Sequence, residues 1–204
     1  GSIIFPRIAS KIIFLLRSNF MKAEDLVAKT RKDYNLIAKD WNIYRPFLEP
    51  YKQRLARHVK RGEKVLDIGC GNGILYEFLA SKSIDYTGLD FSKKLLVIAR
   101  KRAKGATSNL SSRAKAAIAA EVEGSRRSRY KFVLGEVTKL PFKDNTFDWL
   151  FAFAVYHHLP STEIRLKSLH EARRVLKPGG KLVLIVMNLL SEYTRQKYKI
   201  RINA

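Results

Sequence analysis

One glycine-rich run constrains the fold more than any other part of the 204-residue chain: Val65-Leu66-Asp67-Ile68-Gly69-Cys70-Gly71-Asn72-Gly73. Its first half has the pattern of a buried strand, and its glycines predict a sharp turn that opens a helix. The next apolar run ends at Asp90, where a carboxylate contacts the ribose in dinucleotide-binding folds. Together these features predict a site for a cofactor that carries adenosine.

The spacing of the turn narrows the choice of cofactor. A nicotinamide site has the pattern G-x-G-x-x-G, whereas here the third glycine, Gly73, comes one residue early. Asp67 precedes the turn and would repel a pyrophosphate. S-adenosylmethionine suits the turn better, since it has a sulfonium, an ammonium and a ribose diol but no phosphate. We interpret Cys70, inside the turn, as a small packing residue and not as a nucleophile.

Apolar runs alternate with helical patterns along the rest of the chain. Strands are expected at 64–68, 85–89, 130–134, 147–153 and 181–187, and helices at 73–81, after Ser92 and at 161–176. This alternation predicts an α/β fold with a doubly wound, mostly parallel sheet of order 3-2-1-4-5. The ligand is then expected over the carboxyl ends of the strands, between strands one and four.

The predicted organisation has four parts. Residues 1–22 are an N-terminal extension that starts with a tag-like Gly-Ser, 23–60 are a helical cap, 61–190 are the core and 191–204 are a basic tail. The core contains a basic insertion at 105–129. No apolar run approaches the ~20 residues that a transmembrane helix needs.

Charge indicates the kind of partner. The net charge is +22, and residues 93–131 alone hold twelve Lys/Arg against two Glu. Such a concentration predicts a surface that binds a polyanion, with nucleic acid favoured over an anionic membrane. The single cysteine excludes a disulfide framework and suits a reducing compartment such as the cytoplasm.

The glycine run, the two acids and the later segment Gly135-Glu136-Val137-Thr138-Lys139-Leu140-Pro141-Phe142 resemble class I S-adenosylmethionine-dependent methyltransferases over about 34–189. The resemblance implies that an acid at 136, here Glu instead of the commoner Asp, accepts from the adenine amino group. The predicted cofactor-binding residues are Asp67, Gly69, Cys70, Gly71, Gly73, Asp90, Phe91, Glu136, Val137 and Ala154.

Two further segments, 34–46 and 147–180, resemble the tRNA wobble-uridine methyltransferases that esterify 5-carboxymethyluridine. This resemblance implies that Arg45, His157, His158 and Arg165 lie on the acceptor side. A carboxylate acceptor is already ionised at neutral pH and needs no general base, which agrees with the absence of an evident base in the sequence. Adjacent residues of an extended segment point to opposite faces, so we do not expect His157 and His158 to share a metal ion.

The chain departs from the family pattern after strand five, because strands six and seven are not evident. A missing pair would expose an apolar sheet edge. The tail, a second copy of the chain or a small zinc-binding activator protein could cover it, or the chain is a fragment. Two other functions stay open. One is a small-molecule or quinone methyltransferase, and the other is a non-catalytic, methyltransferase-like RNA-binding subunit.

Overall fold

The structure, a computed structural model, describes residues 23–38, 49–108 and 129–186. The extension 1–22, Arg45, most of the basic insertion and the tail 191–204 lie outside these residues. The described helices are α1 Ala23–Ile37, α2 Glu49–Ala56, α3 Ile74–Leu79, α4 Lys93–Ser108 and α5 Thr162–Val175. The strands are β1 Lys64–Ile68, β2 Asp85–Asp90, β3 Arg129–Leu134, β4 Phe147–Phe153 and β5 Leu176–Ile185.

The described strands form a five-stranded parallel sheet of order β3-β2-β1-β4-β5. The central strand β1 pairs with β2 on one side and β4 on the other, and Val65 lies opposite both Tyr86 and Trp149. The predicted doubly wound fold and strand order are therefore confirmed. All the carboxyl ends meet at one edge, where the ligand site was expected.

Side chains that alternate along β1 separate two cores. Val65 packs with α3 and α4 on one face of the sheet, whereas Leu66 packs with α5 on the other. α4 buries Leu95, Leu96, Ala99 and Ala103, the three-to-four spacing of an amphipathic helix. As predicted, Ser92 caps this helix, since its Oγ accepts from the Leu95 N–H at 3.2 Å.

The last strand begins earlier than the sequence predicts. Pairing starts at Leu176 opposite Phe147 and resumes at Lys181 opposite Trp149, so the expected Pro178-Gly179-Gly180 turn is an irregularity inside β5. Gly179 takes a φ of 75°, which lets the backbone bulge without leaving the sheet. The expectation that strand five begins at residue 181 was wrong.

Within the described residues β5 has one strand neighbour, β4. Leu182, Leu184 and Val186 are 39%, 42% and 52% exposed, which is unusual for aliphatic side chains at the border of a sheet. Residues 187–204 lie outside the described part. None of the described helices is long and apolar enough to span a bilayer.

Candidate functional site

A cavity of about 670 Å³ opens at the carboxyl edge of the sheet, with α1 across it. Such a volume suits a nucleoside-sized ligand. Its lining comes from α1, from the ends of β1, β2, β3 and β4 and from the start of α5. The lining residues are Val27, Ala28, Thr30, Arg31, Tyr34, Gly69, Gly71, Leu89, Asp90, Phe91, Gly135, Glu136, Val137, Thr138, Phe153, Ala154, Val155, His158, Leu159, Ser161, Glu163, Ile164 and Lys167.

The glycine turn after β1 forms the floor of the cavity. Gly69, Gly71 and Gly73 have φ of 64°, 57° and 76°, in the left-handed region that glycine adopts without a steric cost. A Cβ added at Gly69 would lie less than 3.0 Å from the Val155 side chain. The turn thus needs glycine at this position for its conformation and for its close approach to the residues after β4.

Asp90 fixes the turn from the neighbouring strand. Its side chain is 4% exposed and still lines the cavity. One carboxylate oxygen accepts from the Gly71 N–H and the other from the Ser92 N–H, both at 2.9 Å. The carboxylate is therefore held at the end of β2, at the wall of the cavity.

Three of the predicted cofactor-binding residues, Asp67, Cys70 and Gly73, are not among the residues that line the cavity. Asp67 accepts a hydrogen bond of 2.7 Å from the Tyr86 hydroxyl, and burial raises the pKa of this carboxyl to about 6. Cys70 is buried, and burial raises the pKa of its thiol well above the usual value, which agrees with packing and not with nucleophilic chemistry. Asp67 therefore supports the turn from below and does not face a cationic ligand directly.

Glu136 and Val137 follow β3 and line the cavity. Phe91 and Ala154, two further predicted cofactor-binding residues, line it as well. The segment after Glu136 is clamped by Arg174 of α5, which donates to the Leu140 and Phe142 carbonyls. The Glu136 side chain is 51% exposed and forms an ion pair with Arg31 of α1. Sequence reasoning missed Arg31, because nothing local indicates a partner 105 residues away.

α1 contacts the loops after three strands. Arg31 reaches Glu136 after β3, and the Asn35 Oδ1 accepts from the Ser92 hydroxyl after β2 at 2.6 Å. The Tyr34 hydroxyl lies 2.6 Å from the Nε2 of His158 after β4. Arg31, Tyr34 and Asn35 have the spacing of one helix face, so the sequence could have shown that they lie together but not what they contact.

The two histidines lie in a short 3₁₀-helix, Tyr156–His158, and not on an extended segment. The expectation that their side chains point to opposite faces was wrong, because the chain turns directly after β4 and brings the ring centroids to 4.2 Å. His158 lines the cavity and His157 does not. In the described part of the chain no group of three or more His, Cys, Asp or Glu side chains is placed to hold a metal ion.

Arg165 is directed toward its own helix terminus. Its guanidinium donates to the Leu159 carbonyl at 2.8 Å and to the Thr162 hydroxyl at 2.9 Å, and it is not among the lining residues. Lys167, two residues further along α5, lines the cavity instead. Sequence reasoning missed Lys167. Arg45, predicted on the acceptor side, lies outside the described residues.

The described part of the basic region 93–131 lies mostly on α4, and its last two cations, Arg129 and Lys131, lie on β3. Lys93, Lys94, Lys101 and Lys104 are exposed on this helix. Arg102 is instead paired with Glu77 of α3 at 2.9 Å. The exposed lysines of α4 therefore supply part of the described positive charge that a polyanion could contact.

The carboxylates of the site fit the adenosine part of S-adenosylmethionine. Asp90 and Glu136 both line the cavity. The same two carboxylates match a ribose diol and an adenine amino group, which are hydrogen-bond donors. The glycine backbone allows close approach of the ligand chain between them.

Comparison with known proteins agrees with this fit. A family model described as a methyltransferase domain matches residues 66–184. The sterol 24-C-methyltransferase ERG6B of Gibberella zeae is 32% identical over 178 residues, which is 78% of this chain and 41% of that protein. The mouse tRNA (carboxymethyluridine(34)-5-O)-methyltransferase ALKBH8 is 27% identical over 81% of this chain and 21% of its own length. The chain thus spans less than half the length of these curated relatives.

Among solved structures, the chain is similar to the methyltransferase in the complex with the Trm112 methyltransferase activator of Haloferax volcanii. The TM-score is 0.54 at 24% identity, and the match covers 73% of this chain and 57% of that one. This likeness shows the fold.

Proposed function

Because the chain belongs to the family of methyltransferase domains, we propose that its cavity binds S-adenosylmethionine and transfers the methyl group to an acceptor under α1. The observation that carries this proposal is the buried Asp90 carboxylate, which braces the glycine turn and also lines the cavity. Asp90 holds the ribose diol, Glu136 accepts from the adenine amino group, and Gly69 and Gly71 allow the close approach. The bound cofactor supplies a methyl group on a sulfonium.

Methyl transfer to an ionised acceptor needs no general acid or base from the protein. Methyl transfer from a sulfonium is an in-line displacement, so the chain must align the acceptor and exclude water. Tyr34, His158 and Leu159 line the cavity, as does the cation of Lys167, and we assign these residues to the acceptor side. Their role is to orient the acceptor atom toward the methyl group.

Calorimetry with S-adenosylhomocysteine, the demethylated product, tests the cofactor site. We expect binding to wild type and at least about tenfold weaker binding to Asp90→Ala, because a charged acceptor contributes about 1.5–3 kcal/mol. Asp85→Ala is the matched control, since Asp85 starts the same strand but pairs with Arg129 far from the cavity. A folded wild type that does not bind the nucleoside would overturn the methyltransferase proposal and leave the RNA-binding subunit.

The proposed acceptor is a wobble 5-carboxymethyluridine of tRNA, which would become a methyl ester. Support comes from the net charge of +22, from the exposed lysines of α4 and from the similarity to the mouse tRNA methyltransferase. Mass spectrometry of tRNA nucleosides after incubation with labelled cofactor tests it. A labelled ester on the wobble uridine is expected, and label in no nucleoside would refute the tRNA acceptor.

A second candidate acceptor is a small molecule or a quinone. For either candidate acceptor, we propose that the protein acts in the cytoplasm. The hydrogen-bonded Tyr34–His158 pair favours it, because such a pair can take up a proton and so serve an acceptor that must lose one. The pH dependence of methylation separates the two candidates. A carboxylate acceptor gives a rate that Tyr34→Phe changes equally at all pH values, whereas a protonated acceptor gives a rate whose pH profile shifts in this variant.

The proposal includes a protein partner at β5. The exposed Leu182, Leu184 and Val186 suit a cover from a small zinc-binding activator protein or from a second copy of the chain. Size-exclusion chromatography with light scattering tests self-association, since a monomer at micromolar concentration removes the second copy as the cover.

A further inference from the structure

The ion pair between Arg31 and Glu136 links α1 to the proposed adenine end of the cavity. Both side chains line the cavity, and Arg31 contacts Oε1 of the carboxylate. No hydrogen bond to Oε2 is made within the described residues, so this oxygen is left for a donor from a ligand. The Arg31 Nε is also buried without a hydrogen-bond partner among the described side and main chains.

Glu136 needs such a tether more than a shorter acid would. Its backbone is fixed by a turn, since the Lys139 N–H donates to the Glu136 carbonyl at 3.3 Å. Its side chain is 51% exposed and has one more rotatable bond than aspartate, so an untethered carboxylate would sample several orientations. Arg31 selects one of them.

We propose that Arg31 is a positioning residue for base specificity, which holds the Glu136 carboxylate toward the cavity so that the site accepts a ring with an amino group and rejects one with a carbonyl. The inference rests on the proposed function, because it takes S-adenosylmethionine as the ligand. The physical reason is that a carboxylate only accepts hydrogen bonds. At the 6-position adenine offers it an N–H donor, whereas hypoxanthine offers an oxygen that the carboxylate repels.

The test compares the calorimetric affinities for S-adenosylhomocysteine and S-inosylhomocysteine, in which the 6-amino group of the purine is replaced by a carbonyl and N1 carries a hydrogen. In wild type the adenine ligand should bind about tenfold more tightly or better, the scale of one hydrogen bond to a charged group. Arg31→Ala should reduce this ratio to about threefold or less. Arg31→Lys should keep part of the discrimination, because the cation remains without the planar fork.

Two further variants separate positioning from general stability. Lys29→Ala breaks the 3.2 Å Lys29–Asp33 ion pair on the same helix, and Lys29 does not line the cavity, so the ratio should stay at the wild-type value. Glu136→Gln should also lower the ratio, since an amide can donate to the carbonyl. The double variant Arg31→Ala/Glu136→Gln should lower it no further, because both act through one contact.

The outcomes distinguish the inference from its premise. Wild type that binds neither nucleoside overturns the proposed function and this inference together. Wild type that discriminates, with the same ratio retained in Arg31→Ala, overturns the inference and leaves the cofactor site in place. A loss of discrimination in Lys29→Ala as large as in Arg31→Ala would also overturn it, because the effect would then belong to the helix as a whole.

Discussion

Gly69 is the position where the geometry of the cofactor turn can be tested most directly. It has a φ of 64°, and an added Cβ would lie less than 3.0 Å from Val155. Gly62 has a φ of 77° but no atom within 4 Å of an added Cβ. Alanine at Gly62 therefore carries only the free-energy cost of a left-handed backbone, whereas alanine at Gly69 adds the cost of a steric clash.

We expect Gly62→Ala to lower the free energy of unfolding by about 1 kcal/mol, since left-handed alanine costs about 1–2 kcal/mol and a less flexible unfolded chain returns part of it. Gly69→Ala should cost about 2–4 kcal/mol, because overpacking against Val155 adds roughly 1–3 kcal/mol. Urea unfolding followed by circular dichroism measures both, at equal m-values.

Val155→Ala removes the methyl groups that the new Cβ would meet. The double variant Gly69→Ala/Val155→Ala should therefore be more stable than the sum of the two single effects, by about 1–2 kcal/mol. The reasoning is refuted if Gly69→Ala is no less stable than Gly62→Ala, or if the double variant is strictly additive.

Two other predictions concern buried charge and the clamp on the 135–148 segment. Because burial raises the folded-state pKa of Asp67 to about 6 from 3.8, the folded state binds the extra proton between these values, so stability should fall by up to about 3 kcal/mol as the pH rises from about 4 to 7. Asp67→Asn should flatten this part of the pH dependence, and an unchanged slope in urea unfolding would contradict the assignment. Arg174 pairs with Glu171 at 2.8 Å and Asp144 at 2.7 Å and donates to two carbonyls, so Arg174→Ala should cost about 2–3 kcal/mol. Arg174→Lys should restore less than half of that loss, since an ammonium lacks the planar fork, and full restoration would show that only the charge matters.

The sequence predicted those strand boundaries that are set by residues close together in the chain. β1 and β4 have the predicted bounds, because each is a short apolar run with clear turn signals at its ends. Asp90 was found for a similar reason, since the end of β2 is visible in the sequence and the carboxyl ends of parallel strands meet. The irregular start of β5 was missed, because Pro178-Gly179-Gly180 signals a turn and a bulge equally well.

The polar contacts of the site could not be predicted in the same way. The Tyr34–His158 and Arg31–Glu136 pairs join residues 124 and 105 positions apart, so only the folded chain brings them together. The sequence showed no base because no short motif contains both members of the Tyr34–His158 pair. The lack of an evident base in the sequence therefore no longer supports the inference that the acceptor needs no base. That inference now depends only on the chemistry of a carboxylate acceptor, which is already ionised.

The contacts of α1 also bear on the order of binding. The Arg31–Glu136 ion pair is exposed, and such pairs contribute about 0–1 kcal/mol, whereas the Tyr34–His158 and Ser92–Asn35 contacts are part-buried. A ligand beneath α1 that contacts both the helix and the strand ends adds interactions between them. Such a ligand stabilises the position of α1 across the cavity by that added free energy. Since α1 reaches the proposed adenine end through Arg31 and the proposed acceptor side through Tyr34, cofactor bound first should strengthen the binding of the acceptor, and the acceptor should strengthen the binding of the cofactor by the same factor.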